Sequence, residues 1–131
     1  MAKVIPPSVD RDDEYFWDGV QADQLLIQRC AGCGVLRHPP APMCGECHST
    51  SWDTVASKGT GTVHSWIISR HPTEPDEESR IVILVELDEG LRFVSNLVDI
   101  DMADVRNEMS VELCFRELDG VKLPQFQPMA G

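Results

Sequence analysis

Cys30, Cys33, Cys44 and Cys47 stand as two Cys-x-x-Cys pairs separated by ten residues, with Gly32, Gly34 and Gly45 in or beside them. Two thiolate pairs at this spacing supply four soft sulfur donors, the set that tetrahedral zinc prefers. The glycines are expected to let the backbone turn around the ion and aim amide N–H groups at the sulfurs, which spreads the negative charge of four thiolates. An iron centre of the rubredoxin type uses the same paired knuckles, but nothing else in the chain points to electron transfer. Four protein thiolates leave no open coordination position, so the expected zinc is structural rather than catalytic. Its binding energy, ~10–16 kcal/mol in apparent terms at comparable sites, is then folding energy for the surrounding ribbon.

Other reactive side chains are sparse. Cys114 shares its strand face with Glu112 and Arg116, neither of which is an evident activating base, and it reads as an inert, buried or half-buried thiol. His38 and His48 flank the cysteine pairs, where four thiolates already suffice. His64 and His71 lie at or near the ends of one expected strand and read as solvent-facing or structurally hydrogen-bonded. There is no Ser-centred elbow, glycine-rich phosphate loop or dinucleotide fingerprint. Gly59-Thr-Gly61 is too short to cradle a phosphate and reads as a flexible entry into a strand. No catalytic residues are expected on this chain.

These residues need elements to hold them. Residues 1–9 hold two prolines and no periodicity, and read as an extended arm. A short helix is expected over 11–22, with Asp10 as N-cap, the acidic run Asp12 to Glu14 at the positive end of its dipole, and Phe16 and Val20 on one face. Tyr15, Phe16 and Trp17 crowd this one element. They pack either on the chain's own core or against a partner, and the second reading places a partner-binding surface there. A strand over 25–28 leads into the first cysteine pair and one over 35–38 returns from it. Pro39, Pro40 and Pro42 are expected to hold the following connection extended, and the ribbon closes near Trp52.

From Gly59 the pattern becomes that of strands. Residues 61–71 are rich in Thr, Val, Trp and Ile. Ile81, Ile83, Val85 and Leu87 alternate on one face, as do Leu91, Phe93, Ser95 and Leu97, with Asp88-Glu-Gly90 as the hairpin between. A helical turn near 102–106 and strands over 110–115 and 121–126 complete the order of a five-stranded OB-fold barrel. Val82, Leu84 and Val94 place apolar side chains on the opposite face, so part of the barrel's exterior should be covered, by the chain's own ribbon and helix or by another protein. The expected fold is mainly β: an N-terminal arm and helix over 1–23, a rubredoxin-like zinc ribbon over 24–55 and an OB barrel over 56–131.

Composition narrows the partners. Eleven basic and twenty-two acidic residues give 131 residues a formal net charge of −11, which opposes binding to a phosphate backbone. Trp66 and Phe93, with Arg70, Arg80 and Arg92 nearby, are the residues a single-strand-binding OB face would use, but the acidic excess works against them. Acidic residues crowd 10–14 and 74–78, which reads as solvated surface. The N-terminus lacks an apolar stretch of signal-peptide length. The longest aliphatic run, Ile81 to Val85, is too short to span a bilayer, so a cytoplasmic, reducing location without membrane or nucleic acid is expected.

Taken together, the aromatic helix, Leu26-Ile-Gln-Arg-Cys30-Ala-Gly-Cys33-Gly, Pro39-Pro40, Cys44-Gly-Glu-Cys47, Gly59-Thr-Gly61-Thr-Val-His-Ser-Trp66 and Val85-Glu-Leu-Asp-Glu-Gly90 resemble a known family. It is the zinc-ribbon plus OB-fold family of acyl-CoA metabolism catalogued as domain of unknown function thirty-five, and the resemblance runs from about Asp10 to Pro128. The chain departs from the family at Asn107-Glu108, where relatives turn with glycine, and in the acidic segment 73–79. The resemblance implies an accessory subunit whose catalytic residues belong to a partner. That partner would be a thiolase-fold enzyme or a lipid-transfer-protein-type aldolase of steroid side-chain breakdown, with association to a hotdog-fold enoyl-CoA hydratase in some relatives. It also implies a hetero-oligomer that handles a coenzyme A thioester. Tyr15, Phe16, Trp17 and, on the barrel, Trp66 are the expected contact residues. Direct binding and delivery of acyl-CoA is the alternative.

Overall fold

The acidic run near the N-terminus folds on itself before any helix begins. The Asp10 amide donates to Asp13 Oδ1 (2.8 Å) and the Asp12 amide to Asp10 Oδ1 (2.9 Å). Asp10 thus closes a local turn, a competing use of short acidic side chains, and helix α1 starts later than expected, spanning Glu14–Gln21 behind Asp13. The computed structural model describes residues 7–70 and 79–129. These fall into two compact units, one of Pro7–Lys58 and one that begins at Gly59. His71 and most of the acidic segment at 73–79 lie outside the described residues, as does the first part of the N-terminal arm.

In the first unit α1 accompanies a three-stranded antiparallel sheet of order β2-β1-β3, with β1 Leu26–Cys30, β2 Leu36–Arg37 and β3 Trp52–Ala56. Strand β3 carries no apolar alternation, because none of its side chains is fully buried, and periodicity therefore gave no sign of it. Phe16, Val20, Leu25 and Ile27 form the core. Gln28, the next residue along β1 after Ile27, is 1% exposed. Its Oε1 accepts from Arg37 Nε (2.8 Å) and from the Ala41 amide (2.9 Å), while Arg37 Nη2 donates to the Ala41 carbonyl (2.9 Å). The proline-rich connection is bent and pinned to the sheet by this network, not simply stiffened by its prolines.

The second unit is a closed barrel of order β4-β5-β6-β8-β7, formed by β4 Thr60–Ser69, β5 Arg80–Leu87, β6 Arg92–Leu97, β7 Ser110–Leu118 and β8 Val121–Pro128. A 3-10 turn, Met102–Asp104, lies between β6 and β7. Closure removes sheet edges. The two alternating sets face inward except at Leu91, which is half-buried just before β6: Ile81, Ile83, Val85 and Leu87 from β5, and Phe93, Ser95 and Leu97 from β6, are all buried with Val63, Val111 and Phe126. Asp119 and Gly120, both at positive φ, make the two-residue β7–β8 turn of the kind that matches strand twist. Gly61 is not a flexible entry to β4. A Cβ there would lie 2.3 Å from the Glu86 carbonyl oxygen, so the close approach of β4 to β5 requires glycine.

Register along β4 slips between Val63 and Ser65, leaving a bulge at His64. Before the slip Val63 pairs with inward Val85; after it Trp66 pairs with inward Ile83, and Ile67 with Val82 on the outside. A one-residue slip exchanges the two faces of a strand. The bulge therefore decides that Trp66 turns toward the barrel interior and Ile67 away from it.

Candidate functional site

The four cysteines converge. Their sulfurs all lie within 4.8 Å of one another, with Cys30 Sγ 3.4 Å from Cys47 Sγ and Cys33 Sγ 3.6 Å from Cys44 Sγ. Four sulfurs around a tetrahedral ion at about 2.3 Å would stand about 3.8 Å apart, so the cluster fits such an ion. The two knuckles have the same build. In each the first cysteine is buried and the second exposed. The amide of the residue after the second cysteine returns to the carbonyl of the first: Gly34 to Cys30 (2.9 Å) and His48 to Cys44 (3.0 Å). Both of those residues take positive φ, +80° and +64°. Gly45, expected to ease the second turn, has ordinary φ and open space around its Cα; His48 occupies the left-handed position instead.

Amides aim at the sulfurs, from Gly32 and Cys33 to Cys30 Sγ (3.3 and 3.5 Å) and from Glu46 to Cys44 Sγ (3.4 Å). The Cys33 amide is the largest influence holding the Cys30 thiol down to about 6, and the Cys47 amide leads in lowering Cys44. Cys33 goes the other way. The Val35 amide favours its thiolate, but burial and the surrounding Cys44, Cys47 and Cys30 sulfurs prevail and push it up to about 12. Sulfurs this close cannot all ionise without a cation, and a bound metal would deprotonate them outright. His38 and His48 are not part of the cluster. His38 is half-buried beside Phe16 (ring centroids 5.8 Å), and burial lowers its pKa.

The expected contact residues are not equivalent. Phe16 is 7% exposed and belongs to the core of its own unit. Tyr15 and Trp17 are half-buried. Tyr15 packs on Trp52 (centroids 5.0 Å), and Trp17 stands edge-on to Phe16 (5.0 Å). Trp52, 36% exposed, thus joins Tyr15 in a surface pair that sequence reasoning missed, because a tryptophan after the second knuckle reads only as the end of the ribbon. On the barrel Trp66 is half-buried on the inner side of β4. The outer face carries Ile67 and Val94, 62% and 66% exposed, beside Val82 and Leu84, which pair with them across the strands. Among the described residues of the barrel unit, none covers that part of the exterior.

Among the described residues there is no second cluster of metal-binding type, and no helix is long and apolar enough to cross a membrane. Cys114 is half-buried on β7, and desolvation raises its thiol pKa against the pull of Arg116, opposite to the activation a nucleophile needs. His64 is exposed at the bulge.

Comparison with known proteins matches residues 17–53 to the rubredoxin-like zinc ribbon domain of ChsH2, and 54–116 to its C-terminal OB-fold domain. The chain is 44% identical over 124 residues to a probable enoyl-CoA hydratase alpha subunit of Thermomonospora curvata. It is 40% identical over 123 residues to the 3-oxo-4,17-pregnadiene-20-carboxyl-CoA hydratase alpha subunit of Mycobacterium tuberculosis. Each alignment takes in 93% of this chain but spans only 39% of the relative's length. A DUF35 domain-containing scaffold protein of Methanothermobacter thermautotrophicus is 31% identical over 101 residues, covering 75% of this chain and 76% of that protein. Among solved structures, a chain of the Ltp2-ChsH2(DUF35) aldolase superposes with a TM-score of 0.86 at 44% identity, covering 93% of this chain and 98% of that one.

Proposed function

Since this chain belongs to the DUF35 family of zinc-ribbon and OB-fold proteins, we propose that it is a noncatalytic accessory subunit of a thiolase-superfamily enzyme. The partner would be an acyl-CoA thiolase or a retro-aldolase acting on steroid or lipid side chains as coenzyme A thioesters, and the assembly a hetero-oligomer. The observation that carries this reading is the near end-to-end match, in sequence and in fold, with the ChsH2 chain of an aldolase complex. The description of one relative as a scaffold and of two others as alpha subunits is consistent with it. So is the chemistry of the chain, whose one free thiol outside the cysteine cluster has its pKa raised.

In this reading Cys30, Cys33, Cys44 and Cys47 hold a structural zinc, which ties the two knuckles together and supplies no open position for substrate. Tyr15 and Trp17 on the ribbon unit, joined by Trp52, and the barrel with Trp66 and its apolar exterior at Ile67 and Val94 offer aromatic and aliphatic surface for the catalytic subunit to desolvate. The contact stabilises the partner and shapes its acyl-CoA entrance. A net charge of −11 favours this over a nucleic-acid role. The test is affinity capture of the tagged chain from its own cells. A thiolase-fold subunit with carbon–carbon-cleaving activity toward acyl-CoA should come down in fixed ratio. Recovery of nucleic acid, or of no such enzyme, would contradict the proposal.

A further inference from the structure

One end of the barrel holds a pocket of about 590 Å³. It lies where the start of β5, the end of β6 and the β7–β8 hairpin meet, and its volume is within the range of small-molecule sites. Leu97, Ile100, Met102, Leu118 and Leu123 give it an apolar wall. Met102 and Leu118, 38% and 40% exposed, are large hydrophobic side chains left open to solvent.

The polar groups are few and unequal. Three polar residues are buried among the described residues: Gln28, Ser95 and Gln125. Gln28 holds the proline connection, and Ser95 Oγ donates to the Pro124 carbonyl (2.9 Å). Gln125 is 4% exposed and lines the pocket, yet its carboxamide has no hydrogen-bond partner among the described residues. Its amide is not fully sealed from solvent either, and the residue lines this pocket. A buried amide normally spends its donors and acceptor on the protein. One left open toward a cavity is positioned for a group that arrives from outside.

Charge selects the class of that group. Arg80 and Arg116 line the pocket with Asp99, Glu117 and Asp119, and Arg116 Nη2 is already paired with Asp99. With acidic groups in excess and one of two cations engaged, the lining repels carboxylates and phosphates. We propose that this pocket is a binding site for a neutral, largely apolar small molecule of ring size, whose single hydroxyl or carbonyl is recognised by Gln125. The inference requires neither a metal nor a catalytic partner.

The test uses the full chain, isotopically labelled, titrated separately with naphthol and with its isostere methylnaphthalene while amide and methyl resonances are followed by NMR. Both should shift pocket signals saturably, with naphthol bound about fivefold more tightly, as one neutral hydrogen bond allows. Gln125→Leu, close in volume, should abolish that preference while still binding methylnaphthalene. Met102→Trp, a rim substitution that leaves Gln125 in place, should block both probes. Absence of saturable shifts up to the solubility of either probe, or an unchanged preference in Gln125→Leu, would overturn the assignment.

Discussion

Cys33→Ser should unfold the ribbon unit and leave the barrel standing. The serine removes one of four sulfurs that lie within 4.8 Å of each other and replaces a soft anionic donor with a poorly binding hydroxyl. The unit that depends on it runs only from Pro7 to Lys58, with a core of a few apolar side chains. A unit of that size has a net stability of about 3–8 kcal/mol by the usual per-residue figure. Structural zinc contributes about 10–16 kcal/mol in apparent terms, so losing most of it exceeds the whole margin. Metal analysis of the unaltered protein should find about one zinc per chain, and the variant far less. Heteronuclear NMR should then show signals of Ile27 and Gln28 collapsing to random-coil positions while those of Val63, Val85 and Val111 stay in place. Strong chelation of the unaltered protein should give the same spectrum. A folded ribbon without metal would refute the reasoning, as would a red, iron-loaded product.

Trp17→Ala should weaken capture of the enzyme partner by more than tenfold, about 2 kcal/mol for a large aromatic at a desolvated contact, with zinc content and melting unchanged. Titration of the two purified subunits checks it, and a variant that melts much earlier would reassign Trp17 to the core. Gln28→Leu strands the Ala41 amide and leaves Arg37 Nε only its longer bond to the Ala41 carbonyl (3.2 Å), and should cost the ribbon about 1–3 kcal/mol in denaturant unfolding followed by Trp52 fluorescence. Glu108 sits at φ +68°, and Glu108→Gly should relieve about 1–2 kcal/mol of left-handed strain against about 0.5–1 of added unfolded-state entropy. Calorimetry should therefore place the barrel transition a few degrees higher, and a lower value would contradict the backbone assignment. Cys114→Ser should leave turnover of the reconstituted complex within severalfold of normal; a loss of about a hundredfold, ~2.7 kcal/mol in barrier, would make this chain catalytic after all.

Much of this molecule was legible along the chain because its signals are local. Four cysteines at knuckle spacing need no tertiary information to declare a metal-binding type. Period-two alternation at Ile81 to Leu87 and at Phe93 to Leu97 is a direct consequence of strand geometry, and those residues do face inward. The Asn107-Glu108 turn was marked by a missing glycine, and Glu108 does take the conformation glycine favours. Other features depend on partners distant in sequence. Whether Gly61 is a hinge or a close contact is decided by the Glu86 carbonyl across the sheet, and Gln28 becomes the anchor of the proline connection only when Arg37 and Ala41 arrive beside it. The bulge at His64 sends Trp66 inward and Ile67 outward, the open amide of Gln125 exists only where three barrel elements leave a pocket, and Phe16 joins the core because the turn at Asp10 to Asp13 fixes where the helix begins. The sequence by itself determined which groups could do chemistry and which residues alternate. Tertiary structure decided which faces are covered and which polar groups remain unsatisfied, since burial and hydrogen-bond partnership are properties of neighbours in space.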